Sequence, residues 1–383
     1  MADVTLWLAG DVMTARGIDQ ILLHPGDPRI LEPYMTSAID YVRLAERVTG
    51  PIPHPVDFAY VWGDALAWLE RQAPDLRLIN LETAVTTSDA AEPKGIHYRM
   101  HPANLPVLAA AGVDACVLAN NHVLDWGRQG LGETLAVLGK AGYATAGAGL
   151  DRLQARVPAR FEVPGGRVRL LAFGLPSSGV PIDWAAGDER PGVNVLADLS
   201  REAVSTIAAD VARGRESGEL ALVSLHWGGN WGYAIPDAHR EFAHRLIDEA
   251  GVDLVWGHSS HHALGIEVYR GRLILYGCGD LINDYEGITG HEGFRGDLAL
   301  LYFPTLCPTG GRLKRLVMVP LQRRHFRLNR APRDEAEWLC RMLNREGRPL
   351  GTRVRHDGHG QLVLEWQGER RGRSADVLLY CPS

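Results

Sequence analysis

The sequence predicts an α/β fold, with either one mixed sheet or two sheets packed face to face and helices outside. In the first part of the chain, short apolar runs alternate with segments whose apolar residues recur at helical spacing. Further along, apolar runs come in pairs joined by short turns, as at residues 266–276, which indicates antiparallel hairpins. A mixture of these two patterns is typical of sheets covered by helices.

Length and composition limit the classes of protein that need to be considered. The 383 residues suffice for one large α/β domain with additions or for two domains. The net charge is -6 and no basic block indicates nucleic-acid binding. Neither a signal peptide nor a membrane-length apolar run is visible, and the five cysteines fit a reducing compartment. We therefore expect a cytoplasmic protein without nucleic-acid or membrane partners.

The predicted elements follow one another along the chain. Strands are predicted at 4–9, 76–79, 115–119, 143–146, 221–225 and 254–256, hairpins at 161–173, 266–276 and 298–319, and short strands at 363–364 and 377–379. Helices are predicted around 62–69, 131–138, 204–211, 242–250 and 335–343. Residues 1–320 are expected to form the catalytic domain and residues 321–383 a C-terminal extension packed on it. The proline-rich residues 14–57 are expected to form a long loop, a candidate lid.

Five predicted strands end in polar or ionisable side chains. These are Asp11, then Asn80 and Glu82, then Asn121 and His122, then His226, and finally His258 and His261. Each case alone has an ordinary structural explanation, such as a turn cap or a satisfied core histidine. Together they favour a single site, because ligands bind at the carboxyl ends of strands in open α/β sheets.

The chemistry of this set leaves two alternatives open. Carboxylate, amide and imidazole groups bind divalent metals such as Mn, Fe or Zn, and two metals would clamp a phosphoryl group. The same residues without metal form an acid/base site in which amides and backbone N–H groups stabilise developing negative charge. The residues alone do not choose between these chemistries.

Five motifs, taken together, resemble the CapA family of poly-γ-glutamate capsule synthesis proteins, a branch of the calcineurin-like metallophosphoesterases. The motifs are Gly10-Asp11-Val12-Met13, Asn80-Leu81-Glu82, Ala119-Asn120-Asn121-His122 with Asp125-Trp126-Gly127, Leu225-His226-Trp227-Gly228 and Gly257-His258-Ser259-Ser260-His261. The resemblance covers residues 4–303. It implies the four-layer αββα sandwich of the calcineurin-like phosphoesterase fold, here with a small C-terminal extension.

The chain departs from the family pattern at several positions. Met13 stands where phosphoesterases have a histidine, Ser259 and Ser260 replace a His-Pro pair, and Asp280 replaces an asparagine. With its cytoplasmic start and without the membrane anchor common in capsule proteins, the chain resembles the MslH-type branch of lasso-peptide epimerases. The depleted metal motifs also favour epimerisation. No cofactor is then expected to be required. The alternative is one or two divalent metals, Mn, Fe or Zn, held by the following residues: Asp11, Glu82, Asn121, His226, His258 and His261.

The predicted function is that of a peptide epimerase. It would convert the C-terminal residue of a ribosomal, lasso-type precursor peptide from L to D by exchange of the α-proton, with a leader-peptide-binding protein as a further partner. The alternatives are a metal-dependent phosphoesterase or amide hydrolase, or a component of capsule poly-γ-glutamate synthesis. Catalytic candidates are Asp11, Glu82, His122, His226, His261 and Cys278. Substrate-binding candidates are Asn80, Lys94, Arg99, Asn121, Trp126, Trp227 and Asp280.

Overall fold

The computed structural model describes residues 2–367 of the chain. Its strands are β1 (Val4–Val12), β2 (Leu76–Leu81), β3 (Ala84–Val85), β4 (Arg99–Met100), β5 (Ala115–Val117), β6 (Ala144–Ala146), β7 (Ala148–Gly149), β8 (Ala159–Val163), β9 (Gly166–Gly174), β10 (Gly192–Val193), β11 (Glu219–His226), β12 (Leu254–His258), β13 (Ile266–Tyr269), β14 (Arg272–Leu275), β15 (Asp280–Ile282), β16 (Leu298–Leu306), β17 (Leu313–Arg324), β18 (Arg327–Arg330), β19 (Thr352–His356) and β20 (Leu362–Trp366). The helices are α1 (Gly17–Ile21), α2 (Ile39–Thr49), α3 (Ala65–Gln72), α4 (Pro106–Ala110), α5 (Gly127–Lys140), α6 (Arg152–Arg156), α7 (Arg201–Ala212), α8 (Asp237–Asp248) and α9 (Arg333–Gly347).

Two mixed sheets form the centre of the molecule. The first has the strand order β19-β20-β17-β16-β1-β2-β5-β6, with β15 also paired to β1 and β18 to β17. Its strands β1, β2, β5 and β6 run parallel, whereas β16, β17, β20 and β19 join as antiparallel neighbours. The second sheet has the order β13-β14-β12-β11-β9-β8 and is parallel except at its two edge hairpins. The predicted mixture of parallel and antiparallel strands is therefore confirmed.

Alternation along β11 shows how the layers pack. Leu222 joins a core that also contains Leu6 and Leu8 of the first sheet, whereas its neighbour Val223 joins a separate core formed with α7 and α8. Successive side chains of a strand point to opposite faces, so β11 has one sheet on one side and helices on the other. On the far side of the first sheet, Trp7 meets Trp62, just before α3, with ring centroids 5.9 Å apart. The four-layer αββα order is confirmed.

The segment of residues 14–57 was expected to be a long loop, and that expectation is wrong. It contains α1 and α2, and Arg16 at its start is buried. Arg16 donates from Nε to Asp284 at 3.1 Å and from Nη1 to Glu32 at 3.0 Å. These bonds fix the segment to the end of the first sheet, where proline content alone gave no sign of helices. Its role as a lid stays a prediction.

The C-terminal part continues the first sheet. Residue 320, the predicted domain boundary, falls inside β17, and β18, β19 and β20 extend the same sheet beyond it. The predicted tail helix and the strand at 363–364 correspond to α9 and β20. The predicted strand at 377–379 lies outside the described residues, as does the rest of 368–383. None of the helices in residues 2–367 has both the length and the apolar character of a membrane span.

Candidate functional site

Strand register brings the predicted site residues together. In the first sheet, Asp11 of β1 lies opposite Asn80 of β2 and opposite Asp280 of β15. In the second sheet, the last residue of β11, His226, lies opposite the last residue of β12, His258. Because the two sheets pack face to face, these strand ends meet at one edge of the sandwich. The convergence expected from the sequence is what the fold produces.

Asp11 is the hydrogen-bonding centre of this edge. Its Oδ1 accepts from Asn80 Nδ2 and from His258 Nδ1, both at 2.8 Å, and its Oδ2 accepts from the Ser259 N–H at 3.2 Å. Burial alone would raise the pKa of Asp11, but the hydrogen bond and charge of His258 hold it below the usual range. Asp11 is therefore ionised and tightly oriented.

A glycine explains how the Asp11 strand can approach β15 so closely. A Cβ placed on Gly10 would lie 1.8 Å from the carbonyl oxygen of Gly279, which no side chain can tolerate. The Asp11 N–H donates to the same carbonyl at 3.0 Å. The glycine in the first motif is thus required by backbone packing directly beside the site.

Three buried side chains offer a candidate metal centre, here called the ligand cluster: Asp11, Glu82 and His226 each present one ligand atom, and these atoms lie within 4.8 Å of one another. Burial and the negative charge of Asp11 raise the pKa of Glu82 well above its ordinary range. Two adjacent buried carboxyl groups repel unless a proton or a cation separates them. The donor set of carboxylate and imidazole suits Mn, Fe or Zn.

The imidazoles around the ligand cluster also fit a cation. Burial lowers the pKa of His226 to about 3, so this side chain is neutral at pH 7 and carries a lone pair. Its Nε2 lies 3.0 Å from Asn121 Oδ1 and 3.7 Å from Glu82 Oε1. Nδ1 of His226 and Nε2 of His258 are buried without a hydrogen-bond partner among residues 2–367. His261, the remaining predicted ligand, is hydrogen-bonded to Asp280 instead.

Besides His258 and Asp11, the site contains two further His–Asp pairs, and the first of these lies beside Glu82. Nδ1 of His122 is 2.7 Å from Asp125 Oδ2, and His122 Nε2 is 4.0 Å from Glu82 Oε1. Lys94 donates to the other oxygen of Asp125 at 2.6 Å. Burial and the positive charge of Lys94 lower the pKa of His122 to about 4. At neutral pH this imidazole is uncharged, with its proton held on Nδ1 by Asp125.

The second pair is formed by His261 and Asp280. Nδ1 of His261 lies 3.0 Å from Asp280 Oδ1, and Asp280 Oδ2 accepts from Asn283 Nδ2 at 2.7 Å. Burial acts against protonation here, but the charge and hydrogen bond of Asp280 prevail and raise the pKa of His261. This imidazole is therefore the more readily protonated of the two.

Two tyrosines connect the pairs. The Tyr98 ring stacks on His122 with centroids 3.8 Å apart, and its hydroxyl lies 2.5 Å from that of Tyr285. The Tyr285 ring in turn meets His261 edge-on at 5.3 Å. Arg16 lies over the Tyr98 ring, 4.7 Å from its centroid. The buried Arg16 therefore supports the two tyrosines, which lie between the imidazoles of His122 and His261 and contact both.

Several predicted site residues lie away from the ligand cluster. Trp227 packs in the outer core against Phe242 and donates to the Tyr276 carbonyl at 2.9 Å. Arg99 lies 3.8 Å from the Trp126 ring centroid and donates to Ser88 O and Asp89. None of the contacts described for Arg99, Trp126 or Trp227 reaches the ligand cluster.

Two further candidates are placed close to the cluster. Cys278 is buried beside Asp11, and burial raises the pKa of its thiol well above the usual range. It is thus a neutral thiol at physiological pH. Lys94 lies near the first His–Asp pair and also donates to the Asn121 carbonyl at 2.5 Å.

Sequence reasoning missed some residues that shape the site. Asn120 accepts from the N–H groups of His122 and Val123 at 3.1 and 3.0 Å, and so holds the turn that presents His122. Asp125 belongs to the third motif, and its spacing of three residues from His122 is a usable signal for a partner within the same turn. Tyr98 and Tyr285 carried no signal, since each is a single aromatic residue in an irregular segment.

With the site in view, comparison with known proteins assigns the family. Residues 5–285 match the family model described as "Bacterial capsule synthesis protein PGA_cap", and the chain belongs to this family. A Mycobacterium tuberculosis protein described as "Probable polyglutamine synthesis accessory protein" is 51% identical over 356 residues, which is 92% of this chain and 93% of that protein. The Bacillus anthracis "Capsule biosynthesis protein CapA" is 25% identical over 73% of this chain and 60% of its own length.

Two further comparisons give weaker similarities. The Bacillus subtilis "PGA biosynthesis protein CapA" is 29% identical over 50% of this chain and 48% of its own length. A crystal structure of a novel phosphatase from Mycoplasma pneumoniae aligns at 13% identity and a TM-score of 0.46, covering 87% of this chain and 96% of that one. At this TM-score the fold assignment rests on the layers described above. The CapA family resemblance is confirmed, and none of these four relatives is described as an epimerase.

Proposed function

We propose that this protein is a divalent-cation-dependent hydrolase of amide or phosphate ester bonds that serves the synthesis of a glutamyl polymer. The observation that carries the catalytic part is the ligand cluster, in which three buried ligand atoms lie within 4.8 Å of one another. The polymer part is supported by family membership and by the capsule and polyglutamine roles in the descriptions of its relatives.

The cation would be held by Asp11, Glu82 and His226, with the Asn121 amide oxygen beside them. A divalent cation in such a site polarises a carbonyl or phosphoryl oxygen and lowers the pKa of bound water. Asn80 and His258 keep the Asp11 carboxylate oriented through their hydrogen bonds. Residues that orient a metal ligand in this way typically contribute roughly 10- to 100-fold to metal affinity.

The two His–Asp pairs supply proton transfer on either side of the reaction. The neutral His122 offers Nε2 on the side of Glu82, where it accepts a proton from the attacking water. The more basic His261 is the proton donor to the leaving group, oriented by Asp280. Groups of one type whose environments separate their pKa values commonly divide the roles of base and acid.

Metal binding gives the first test. We expect the purified chain, stripped with chelator, to bind Mn²⁺ or Zn²⁺ in calorimetric titration, and Asp11→Asn to weaken this at least about 100-fold, since the carboxylate contacts the ion directly. Glu189→Gln removes an exposed carboxylate that is not part of the ligand cluster and serves as the matched control. Wild-type affinity in Asp11→Asn would contradict the assignment.

Hydrolysis gives the second test. A chromogenic phosphodiester and a glutamyl anilide probe the two bond classes, and we expect cation-dependent release from one of them. Chelator should abolish this release, and added Mn²⁺ or Zn²⁺ should restore it. Full release in chelator, with normal folding, would overturn the cation-dependent reaction.

A peptide epimerase is a second candidate, favoured by the presence of two carboxylate-oriented imidazoles outside the ligand cluster. Direct inversion at an α-carbon needs one base to remove the proton and a second group to return one, and His122 and His261 are the two candidates. The substrate in this proposal is the C-terminal residue of a ribosomal, lasso-type precursor peptide, joined by a leader-peptide-binding protein, in the cytoplasm. No cofactor is required in this version.

Deuterated water distinguishes the two proposals. An epimerase exchanges the α-proton, so a candidate precursor peptide should gain one mass unit at its terminal residue for each inversion. A hydrolase instead yields fragments without α-exchange. The epimerase proposal fails if the intact peptide gains no deuterium with the wild type and the His122→Gln variant gives the same result.

A further inference from the structure

A cavity of about 470 Å³ lies beside the second His–Asp pair. We call it the arginine cavity; among its lining residues are Trp231, Asn283, Tyr285, Ile288, Arg323 and Arg324. It lies between the β15–β16 connection, the end of β17 and the end of α2. No step in the proposed hydrolysis uses it.

Shared residues join the arginine cavity to the site. Asn283 donates to Asp280 at 2.7 Å, and the Trp231 ring lies 5.1 Å from the His261 ring. Arg323 donates from Nη1 to the backbone carbonyl of Asp280. A substrate whose reacting bond lies at His261 can therefore extend into this cavity.

The cavity lining contains equal numbers of arginines and acidic residues. The charge available to a ligand therefore depends on which of these side chains already form ion pairs or hydrogen bonds. The lining carries three arginines, Arg295, Arg323 and Arg324, and three acids, Glu286, Glu292 and Asp297. Asp297 accepts hydrogen bonds from Nε and Nη2 of Arg295, both at 2.8 Å. Glu286 accepts from Thr49, His325 and Phe326 at 2.6 to 2.9 Å. Glu292 lies at the exposed rim and accepts from the Gly290 N–H.

Two of the arginines, by contrast, form no direct ion pair within the described residues. Arg323 is 5% exposed, donates only to backbone carbonyls and forms no ion pair with any carboxylate of residues 2–367. Its Nε is buried without a hydrogen-bond partner in that part of the chain. Arg324 is exposed, and its guanidinium makes no hydrogen bond or ion pair within the described residues. A guanidinium group that lines a cavity without a direct ion pair favours a carboxylate as ligand.

We propose that the arginine cavity is a carboxylate-binding subsite, in which Arg324 binds an acidic side chain of an extended substrate and Arg323 supports the charge from within. The aromatic ring of Trp231, stacked on His291 at 4.1 Å, covers the apolar part of that substrate unit. This rests on the proposed function in two respects: the substrate reacts at the ligand cluster, and its acidic unit is a glutamyl residue. The subsite makes the protein selective for glutamate over glutamine side chains.

The test compares a short oligoglutamate with the corresponding oligoglutamine in calorimetric titrations of the full chain. We expect the wild type to bind the glutamate chain more tightly, and Arg324→Gln to weaken that binding about tenfold while leaving glutamine binding unchanged. Arg330→Gln, an exposed arginine on neighbouring β18 that lines a different cavity, is the matched control and should bind as wild type does. Added salt should weaken glutamate binding only.

Three results would overturn the proposal: no oligoglutamate binding by the wild type, equal binding of both oligomers, or equal losses in Arg324→Gln and Arg330→Gln. The titrations are run with chelator and with Mn²⁺. Absence of Mn²⁺ binding with an intact Arg324 effect refutes the hydrolase and supports the subsite. Normal Mn²⁺ binding without an Arg324 effect refutes the subsite alone.

Discussion

The two His–Asp pairs have the same chemical groups and opposite electrostatic surroundings. In the first, burial lowers the pKa of His122, and Lys94, which shares Asp125 with it, lowers it further, to about 4. In the second, the other oxygen of Asp280 accepts from the neutral amide of Asn283 rather than from a lysine. The charge and hydrogen bond of Asp280 then raise the pKa of His261, although burial and the charge of Arg323 act against this. The difference shows that burial together with the positive charge of Lys94 separates the two pKa values, although both imidazoles make the same His–Asp contact.

The largest effect is expected from breaking the first pair. Asp125→Asn removes the acceptor that keeps the His122 proton on Nδ1, so Nε2 no longer presents its lone pair. A comparable change in a serine-protease triad lowers kcat about 10⁴-fold, and we expect a loss on the order of 10³-fold here. The measurement is kcat for the cation-dependent hydrolysis, with Asp89→Asn, an exposed aspartate, as control. A loss below tenfold would remove His122 from the role of base.

Breaking the second pair should have a smaller effect and a distinct pH signature. Asp280→Asn removes the charge that raises the pKa of His261, so the imidazole loses its proton at lower pH than in the wild type. We expect kcat to fall about 100-fold, and the alkaline limb of the pH–rate profile to move to lower pH. An unmoved alkaline limb would show that His261 is not the acid.

Lys94→Met tests the origin of the contrast between the pairs. Without the positive charge, Asp125 acts on His122 alone, so the pKa of His122 should rise and the acid limb of the pH–rate profile should move to higher pH. Because the imidazole remains oriented, kcat at its optimum should fall by no more than about tenfold. An acid limb that stays in place would mean that burial alone sets the pKa.

The smallest effect is expected at Arg99. Arg99 stacks on Trp126 and binds Ser88 and Asp89, away from both pairs. Arg99→Ala should leave kcat and KM within about threefold of wild type, although loss of this largely buried side chain and its hydrogen bonds should cost about 1–3 kcal/mol of stability. A large rise in KM with unchanged kcat would restore its predicted role in substrate binding.

Much of this site could be predicted because strand ends identify it. Asp11, His226 and His258 each end an apolar run, and parallel neighbours must bring such ends together. Orientation was harder to predict: Trp227 follows His226 directly, and alternation along the chain sends it into the outer core. Two residues that are adjacent in a sequence motif, such as His226 and Trp227, therefore need not both lie in the site.

Pairing between distant segments could not be predicted from the sequence. Lys94 reaches Asp125 from a polar loop, and nothing in the spacing of the two residues marks the contact. The helices of residues 14–57 were missed because Arg16 holds them through Asp284, far along the chain. Contacts of this kind depend on tertiary packing, which overrides local composition.

The most direct measurement is the protonation state of His122 and His261 by ¹⁵N NMR of the chelator-treated chain at about pH 6, between the two expected pKa values. His122→Gln and His261→Gln assign the signals. The account predicts a neutral His122 with its proton on Nδ1 and a His261 protonated on both nitrogens. Identical protonation of the two imidazoles would contradict it.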